Sequence, residues 1–457
     1  MSRSVGLALR APVASLRRRV VWVLLASLAT GAGCAEPLTL IEALQLAREH
    51  DPEFQSARHE LEAGLQAKDI GRAGLLPKVS ITALEASLTG DRTLPTSTGR
   101  KVKEDLDYTS EQRALQLRQP LYNAEAIGRF KLGRVQADYA RAVFGQAELD
   151  LVTRLLEAYL NLALAHDVLE LANAQVTAYE EQARRATAFQ ARGEGTLTEA
   201  GEAQARAALG RAEALDAADK LTIARDALAA LIGQLPTALP TLPQKWQLPP
   251  LEPAELDAWL DLARERNPSI QAQRLSVEAA RHNVSIARAG FQPTVDAVAS
   301  VSRNKSDTTA TLNQEINQRI LGVQLSIPLY AGGGVLARAR QAKASLAREQ
   351  SLLEAQINKV LLDLRSNWLA TTNAWSRLGA YESAVESARV MERGTEASIK
   401  AGMAVTADAL DATRLVYISR RDLAKARYDY LMARIKLLAG ASVLAEQDIE
   451  QTSELFE

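Results

Sequence analysis

The chain has 457 residues, 47% of them hydrophobic, and its 54 basic side chains balance 55 acidic ones. That composition excludes a disordered chain and offers no charge surplus for a polyanionic partner, so nothing points to nucleic acid. Aromatics make up only 5%, while alanine and leucine recur with Glu, Gln and Arg. These residues lose little entropy in a helix, so a mainly helical protein is expected.

Residues 1–35 read as a signal peptide: Arg17, Arg18 and Arg19 precede the apolar run Val20 to Ala29, which is too short to span a bilayer. Gly33 and Ala35 suit cleavage before Glu36. Cys34, following Gly31-Ala32-Gly33, leaves lipidation at that position as a second reading. Cys34 is the only cysteine, so no intrachain disulfide can form and packing alone must hold the fold. After Ala35 no run of 18 apolar residues occurs. A membrane crossing would therefore need strands in a closed barrel, because open strand edges are not satisfied in lipid.

Helical periodicity begins near Leu38. Proline is absent between Pro120 and Pro236, and again from Pro328 to the C-terminus, so both stretches are free of the strongest helix breaker. From Asn123 to Gly193 the helical pattern runs for about 70 residues, or roughly 100 Å at 1.5 Å per residue. The second stretch shows the same three-four spacing, as in Leu353, Ile357, Val360, Leu364 and Trp368. Two long helical hairpins follow, turning at Arg192-Gly193-Glu194-Gly195 and at Ala401-Gly402.

The chain is internally duplicated. Leu46-Ala47-Arg48-Glu49 with Asp51-Pro52 returns as Leu262-Ala263-Arg264-Glu265 with Asn267-Pro268, and Arg72-Ala73-Gly74 returns as Arg288-Ala289-Gly290. Pro120-Leu121-Tyr122 likewise returns as Pro328-Leu329-Tyr330. We divide the chain into the first repeat at 36–235, a proline-rich linker at 236–253, and the second repeat at 254–457.

Each repeat carries two candidate strands. Leu321, Val323, Leu325 and Ile327 alternate with polar or small residues, as do Val295, Ala297, Ala299 and Val301. Leu115 and Leu117 alternate well in the first repeat, and Val79 to Leu88 only in part. The polar segments Thr89 to Gln112 and Arg303 to Gln318 are expected to be loops. Four strands do not close a barrel, so a barrel must be shared between chains; three chains give twelve strands and a lumen.

Leu325-Ser326-Ile327-Pro328-Leu329-Tyr330-Ala331-Gly332-Gly333 and Ala404-Val405-Thr406-Ala407-Asp408-Ala409-Leu410-Asp411-Ala412-Thr413, set in this duplicated order, closely resemble the TolC family of trimeric outer-membrane channels. The resemblance covers the whole mature chain. It implies a mainly α fold with a small β part: a long helical barrel in the periplasm and a shared 12-stranded transmembrane β-barrel in the outer membrane. It also implies a homotrimer in contact with outer-membrane lipid, a periplasmic adaptor (a membrane fusion protein), and an inner-membrane ABC or RND transporter. The function implied is the exit duct of type I protein secretion or of efflux, gated at the periplasmic tip.

Taken by spacing alone, Asp408 and Asp411 share one helix face, where acids also simply favour a helix start. The resemblance makes them the pore constriction, six carboxylates in a trimer. Where the family gate has a tyrosine and an arginine, this chain has Ile399 and Ala404; Thr198 and Glu199 stand where the opposite hairpin supplies partners. Gly193 and Gly402 mark the tips expected to meet the adaptor.

Gly332-Gly333-Gly334 lacks the Lys-Ser or Lys-Thr of a phosphate loop and is read as a strand-to-helix joint. The four histidines, His50, His59, His166 and His282, show no metal-ligand spacing, and no nucleophile–base arrangement is evident. Neither a catalytic site, a metal nor a cofactor is therefore assigned. Two alternatives stay open at this level: a lipidated drug-efflux channel, and a periplasmic coiled-coil adaptor or structural protein. The early start of the helix and the short C-terminus resemble the secretion and general-export branch.

Overall fold

The computed structural model describes residues 39–236, 241–243, 250–306, 314–401 and 403–456. The segment expected as a signal peptide, with Cys34, parts of the segment expected as a linker, and Gly402 lie outside the described residues. One order of elements occurs twice. The first pass is α1 (Leu40–His50), α2 (Pro52–Leu65), α3 (Ala67–Ala73), β1 (Lys78–Pro95), β2 (Lys101–Asn123), α4 (Ala124–Ala191) and α5 (Leu197–Ile232). The second is α6 (Leu256–Arg266), α7 (Pro268–Ala289), β3 (Thr294–Ser306), β4 (Gln314–Ser326), α8 (Gly334–Lys400) and α9 (Thr406–Gly440), followed by α10 (Glu446–Ser453).

The repeated Asp-Pro and Asn-Pro pairs are helix starts. Asp51 Oδ2 accepts from the Phe54 N–H at 3.1 Å, and Asn267 Oδ1 from the Ser269 and Ile270 N–H groups at 3.0 and 3.3 Å. Each cap satisfies donors that the first helical turn leaves open, and proline at the first helical position loses nothing by lacking an N–H. The buried Asp51 also meets Arg154 of α4 at 2.6 Å, whereas Asn267 donates to the Gly440 carbonyl at 3.0 Å. The caps thus fasten each short-helix joint to a different long element.

α4 has 68 residues and α8 has 67, but α5 and α9 have only 36 and 35. Each returning helix covers half of its partner. The other half of α4 is covered by α2, α3 and α7, and that of α8 by α7. At these crossings the backbones come very close: a Cβ added at Gly133 of α4 would lie 2.2 Å from the Ala67 carbonyl oxygen. The main core forms where α1 meets the middle of the hairpins, around Leu40, Leu155, Tyr159, Leu228 and Leu431, with Phe456 edge-on to Tyr159 at 5.3 Å. A second cluster packs Trp259 of α6 against Leu364 and Leu437.

The four strands form one antiparallel sheet in the order β1-β2-β3-β4, with β1 and β4 at its edges. Within the sheet the two repeats join at the β2–β3 ladder, where Arg118 donates to the buried Asp296 at 2.6 Å. The segment expected as a loop from Thr89 to Gln112 is instead mostly ladder. β1 and β2 stay in register from Lys78↔Arg118 to Pro95↔Lys101, and only 96–100 turn, with Gly99 at φ +76°. Polar composition misled because this hairpin is solvent-exposed, where cross-strand pairs such as Arg92–Glu104 and Lys103–Asp91 hold a strand without apolar residues. Likewise β3 continues to Ser306 and β4 begins at Gln314, inside the segment expected as loop from Arg303 to Gln318; residues 307–313 lie outside the described ones. No helix among the described residues is long and apolar enough to cross a membrane.

Candidate functional site at the hairpin tips

The end of the molecule farthest from the sheet is built by the α4–α5 and α8–α9 turns. In the first, Gly193 takes φ +75°, a left-handed conformation that glycine adopts without penalty. α5 then starts on a capping box: the Glu199 N–H donates to Thr196 Oγ1 at 3.1 Å, and the Thr196 N–H donates to Glu199 Oε2 at 2.9 Å. The Thr196 backbone and hydroxyl bonds hold the Glu199 carboxyl below the usual range. Glu199 is thus engaged within its own hairpin, and the hydroxyl it uses belongs to Thr196; Thr198 is exposed.

In the second turn the Val405 N–H donates to Asp408 Oδ2 at 3.1 Å, so Asp408 caps the start of α9. Asp408 itself is exposed, and Ile399 and Ala404 are half-buried. Asp411, one turn on, faces the other hairpin: Arg206 of α5 donates to its Oδ1 at 3.1 Å and also lies 3.6 Å from Glu202. The two aspartates share a helix face by spacing but have different partners.

Beside this pair, Leu410 is fully buried against Tyr179, Ala183 and Ala186 of α4 and Ala203 and Ala207 of α5. Gln182 of α4 adds a hydrogen bond to Thr413 Oγ1 at 3.0 Å. Burial pushes the Tyr179 hydroxyl above its ordinary range, partly offset by the Gln175 amide that donates to it. Leu410, Thr413 and Asp411 therefore bind α9 to both helices of the first hairpin. Sequence reasoning missed Arg206, Gln182 and Leu410. The signal for Arg206 was its place seven residues after Glu199, two helical turns along the same face. No cluster of metal-ligating side chains occurs among the described residues.

The sequence model described as "Outer membrane efflux protein" matches residues 43–234 and 259–440, which are the two repeats. The chain belongs to that family. Members are outer-membrane channels, and this one is an outer-membrane export channel that extends into the periplasm. The alkaline protease secretion protein AprF of Pseudomonas aeruginosa is 37% identical over 97% of this chain and 92% of its own length. The proteases secretion protein PrtF of Dickeya chrysanthemi is 32% identical over 97% and 96%. TolC of Escherichia coli is 26% identical over 93% and 86%. Among solved structures, CusC superposes with a TM-score of 0.77 at 17% identity, covering 91% of this chain and 95% of that one. Family membership removes the periplasmic adaptor and the purely structural coiled coil as readings of the chain.

Proposed function

We propose that three copies of this chain close their sheets into one twelve-stranded barrel and their helices into a periplasmic tube, forming the exit duct for proteins in a type I secretion system. The observation that carries this reading is the sheet with two open edges and an apolar face. In lipid such edges must be paired, four strands are too few to close, and eight would leave an interior filled by side chains. Twelve leave a passage. An inner-membrane ABC transporter and a periplasmic adaptor complete the path, with the adaptor meeting the tips at Gly193 and Gly402.

At those tips, Asp408 and Asp411 narrow the entrance. Ile399 and Ala404 offer no side-chain hydrogen bond there, and Glu199 is held by Thr196. The tie between hairpins falls instead to Arg206–Asp411, Gln182–Thr413 and the buried Leu410, and opening the duct breaks the two polar links. Arg206 offsets the charge of Asp411, so Asp408 is the carboxylate that dominates the entrance field.

Protein cargo is supported by the names of AprF and PrtF, which align over nearly the whole chain. Solvent efflux is the second reading, because SrpC of Pseudomonas putida, named a solvent efflux pump outer membrane protein, is 25% identical over 87% of the chain. The two separate in cells that lack their own channel and receive this one. With an ABC exporter and adaptor for an alkaline protease, the protease should appear in the medium. Retention of the protease, with solvent or dye efflux restored beside an RND pump, would favour the second reading.

A further inference from the structure

The sheet reverses its polarity part-way along the β1–β2 hairpin. On its lower part, one face carries Val79, Ile81, Leu115, Leu321 and Val323, all exposed. The opposite face there is mainly polar, with Ser80, Gln116 and Ser300 in one row that ends on Ile320 at the β4 edge. That polar face is the concave one: Ala114 is buried, and Ser302 and Asn304 are half-buried, while Val301, Arg303 and Lys305 on the other face are exposed. Beyond Ala83 the assignment inverts. The face that was apolar now carries Thr89 opposite Asp107, Asp91 opposite Asp105, and Thr93 opposite Lys103. The concave face now carries Leu84, Leu88 opposite Tyr108, and Leu94 opposite Val102, with the Arg92–Glu104 ion pair set between the last two rows.

A slip of one residue would produce such an inversion without meaning, because it turns every side chain over. Here the β1–β2 register is unbroken throughout, so a single continuous face changes from mainly polar to mainly apolar along the hairpin, its one charged row, Arg92–Glu104, being paired within the ribbon. We propose that the projecting ribbon, residues 84–112, turns this apolar face to the channel axis and packs against the same ribbon of the other two copies, narrowing the outer mouth. This rests on the trimeric barrel proposed above.

The ribbon is long enough. Among the described residues β2 pairs with β3 from Ser110 onward, and residues 101–109 with their β1 partners form a two-stranded ribbon beyond those pairs. Nine residues at 3.4 Å give roughly 30 Å. Twelve strands about 4.8 Å apart and tilted about 40° give a barrel radius of about 12 Å. Three ribbons can therefore reach one another across the axis. Lipid does not account for the apolar face, since its continuation below is the polar, concave side. The charged face, with like-charged Asp91 and Asp105 directly opposed, is suited to water.

Val102 and Lys103 are adjacent and point to opposite faces, so they test the proposal against each other in the full-length protein. Both cysteine substitutions are made in a Cys34→Ala background, so that no other thiol competes. Under mild oxidation Val102→Cys should link copies through disulfides, and Lys103→Cys should not. Cross-linking of both to the same extent, or of neither, overturns the proposal. A fluorophore at Val102 quenched by spin-labelled lipid also overturns it, because the face would then lie on the membrane. The Leu88→Ser, Leu94→Ser, Val102→Ser variant should conduct severalfold more than the wild type in planar bilayers, and equal conductance counts against closure. A fluorophore at Leu321 distinguishes the levels of failure: quenching by lipid there keeps the barrel even if the ribbon contact fails, and no quenching removes both.

Discussion

Arg206 of α5 donates to the Asp411 carboxylate of α9 at 3.1 Å, so one ion pair joins the returning helices of the two hairpins at the tip. Both partners are partly exposed, at 26% and 62% of their side-chain surface. Such pairs contribute about 1 kcal/mol or less, enough to bias a gate and too little to hold the fold. Arg206→Gln should leave the melting temperature nearly unchanged while loosening the entrance. In cells without the inner-membrane transporter, susceptibility to a large antibiotic normally excluded by the outer membrane should rise severalfold. Unchanged susceptibility would mean that the pair does not restrain the tip.

Leu410 is the apolar counterpart of that pair, fully buried among side chains of α4 and α5. Leu410→Ala leaves a cavity and should cost about 2–5 kcal/mol. The loss should be local: hydrogen exchange should accelerate around residues 179–186 and 406–413, and the core around Leu155 should keep its protection.

Gly133 tests the close helix crossing. Alanine is favoured over glycine in a helix by about 1 kcal/mol, yet its Cβ would meet the Ala67 carbonyl oxygen at 2.2 Å and the carbonyl carbon at 2.9 Å. Backbone does not yield as a side-chain end does, so overpacking of about 1–3 kcal/mol should win. Thermal unfolding of Gly133→Ala should begin at a lower temperature than that of the wild type; a higher one would show that α3 moves away freely.

Asp167 of α4 gives a pH signature. Burial holds its carboxyl above the ordinary range, and the Tyr428 hydroxyl, which donates to it at 2.8 Å, works in the opposite direction. His166, Glu170 and Arg427 also act on it. The folded-state pKa is above the unfolded one, so the stability it contributes is full below the unfolded value and is lost as pH rises through the folded value. Relative to Asp167→Asn, the wild-type melting temperature should fall as pH rises above about 4. Parallel curves for the two proteins would contradict the shift.

The duplication was legible because its repeated residues do a local job: Asp51 and Asn267 cap helices, and Gly193 turns one. The hairpin lengths followed from the absence of proline, since nothing else stops a helix so firmly. Pairing across the sheet was not legible, because β2 meets β3 through a register set by distant residues such as Arg118 and Asp296. The break between α2 and α3 at Gln66, absent from the continuous α7, was likewise unmarked by proline. At the tip, family likeness pointed to Asp408 and Asp411, but Arg206 became visible only once two helices remote in sequence lay side by side.

The exit duct with a carboxylate entrance is tested most directly by planar-bilayer conductance of the purified protein. The wild type should give discrete, cation-selective steps that a trivalent cation blocks from the periplasmic side alone. In Asp408→Asn, Asp411→Asn the steps should persist, with weaker cation preference and no block. Absence of steps from the wild type, or selectivity and block that survive the double substitution, would contradict a pore narrowed by these two aspartates.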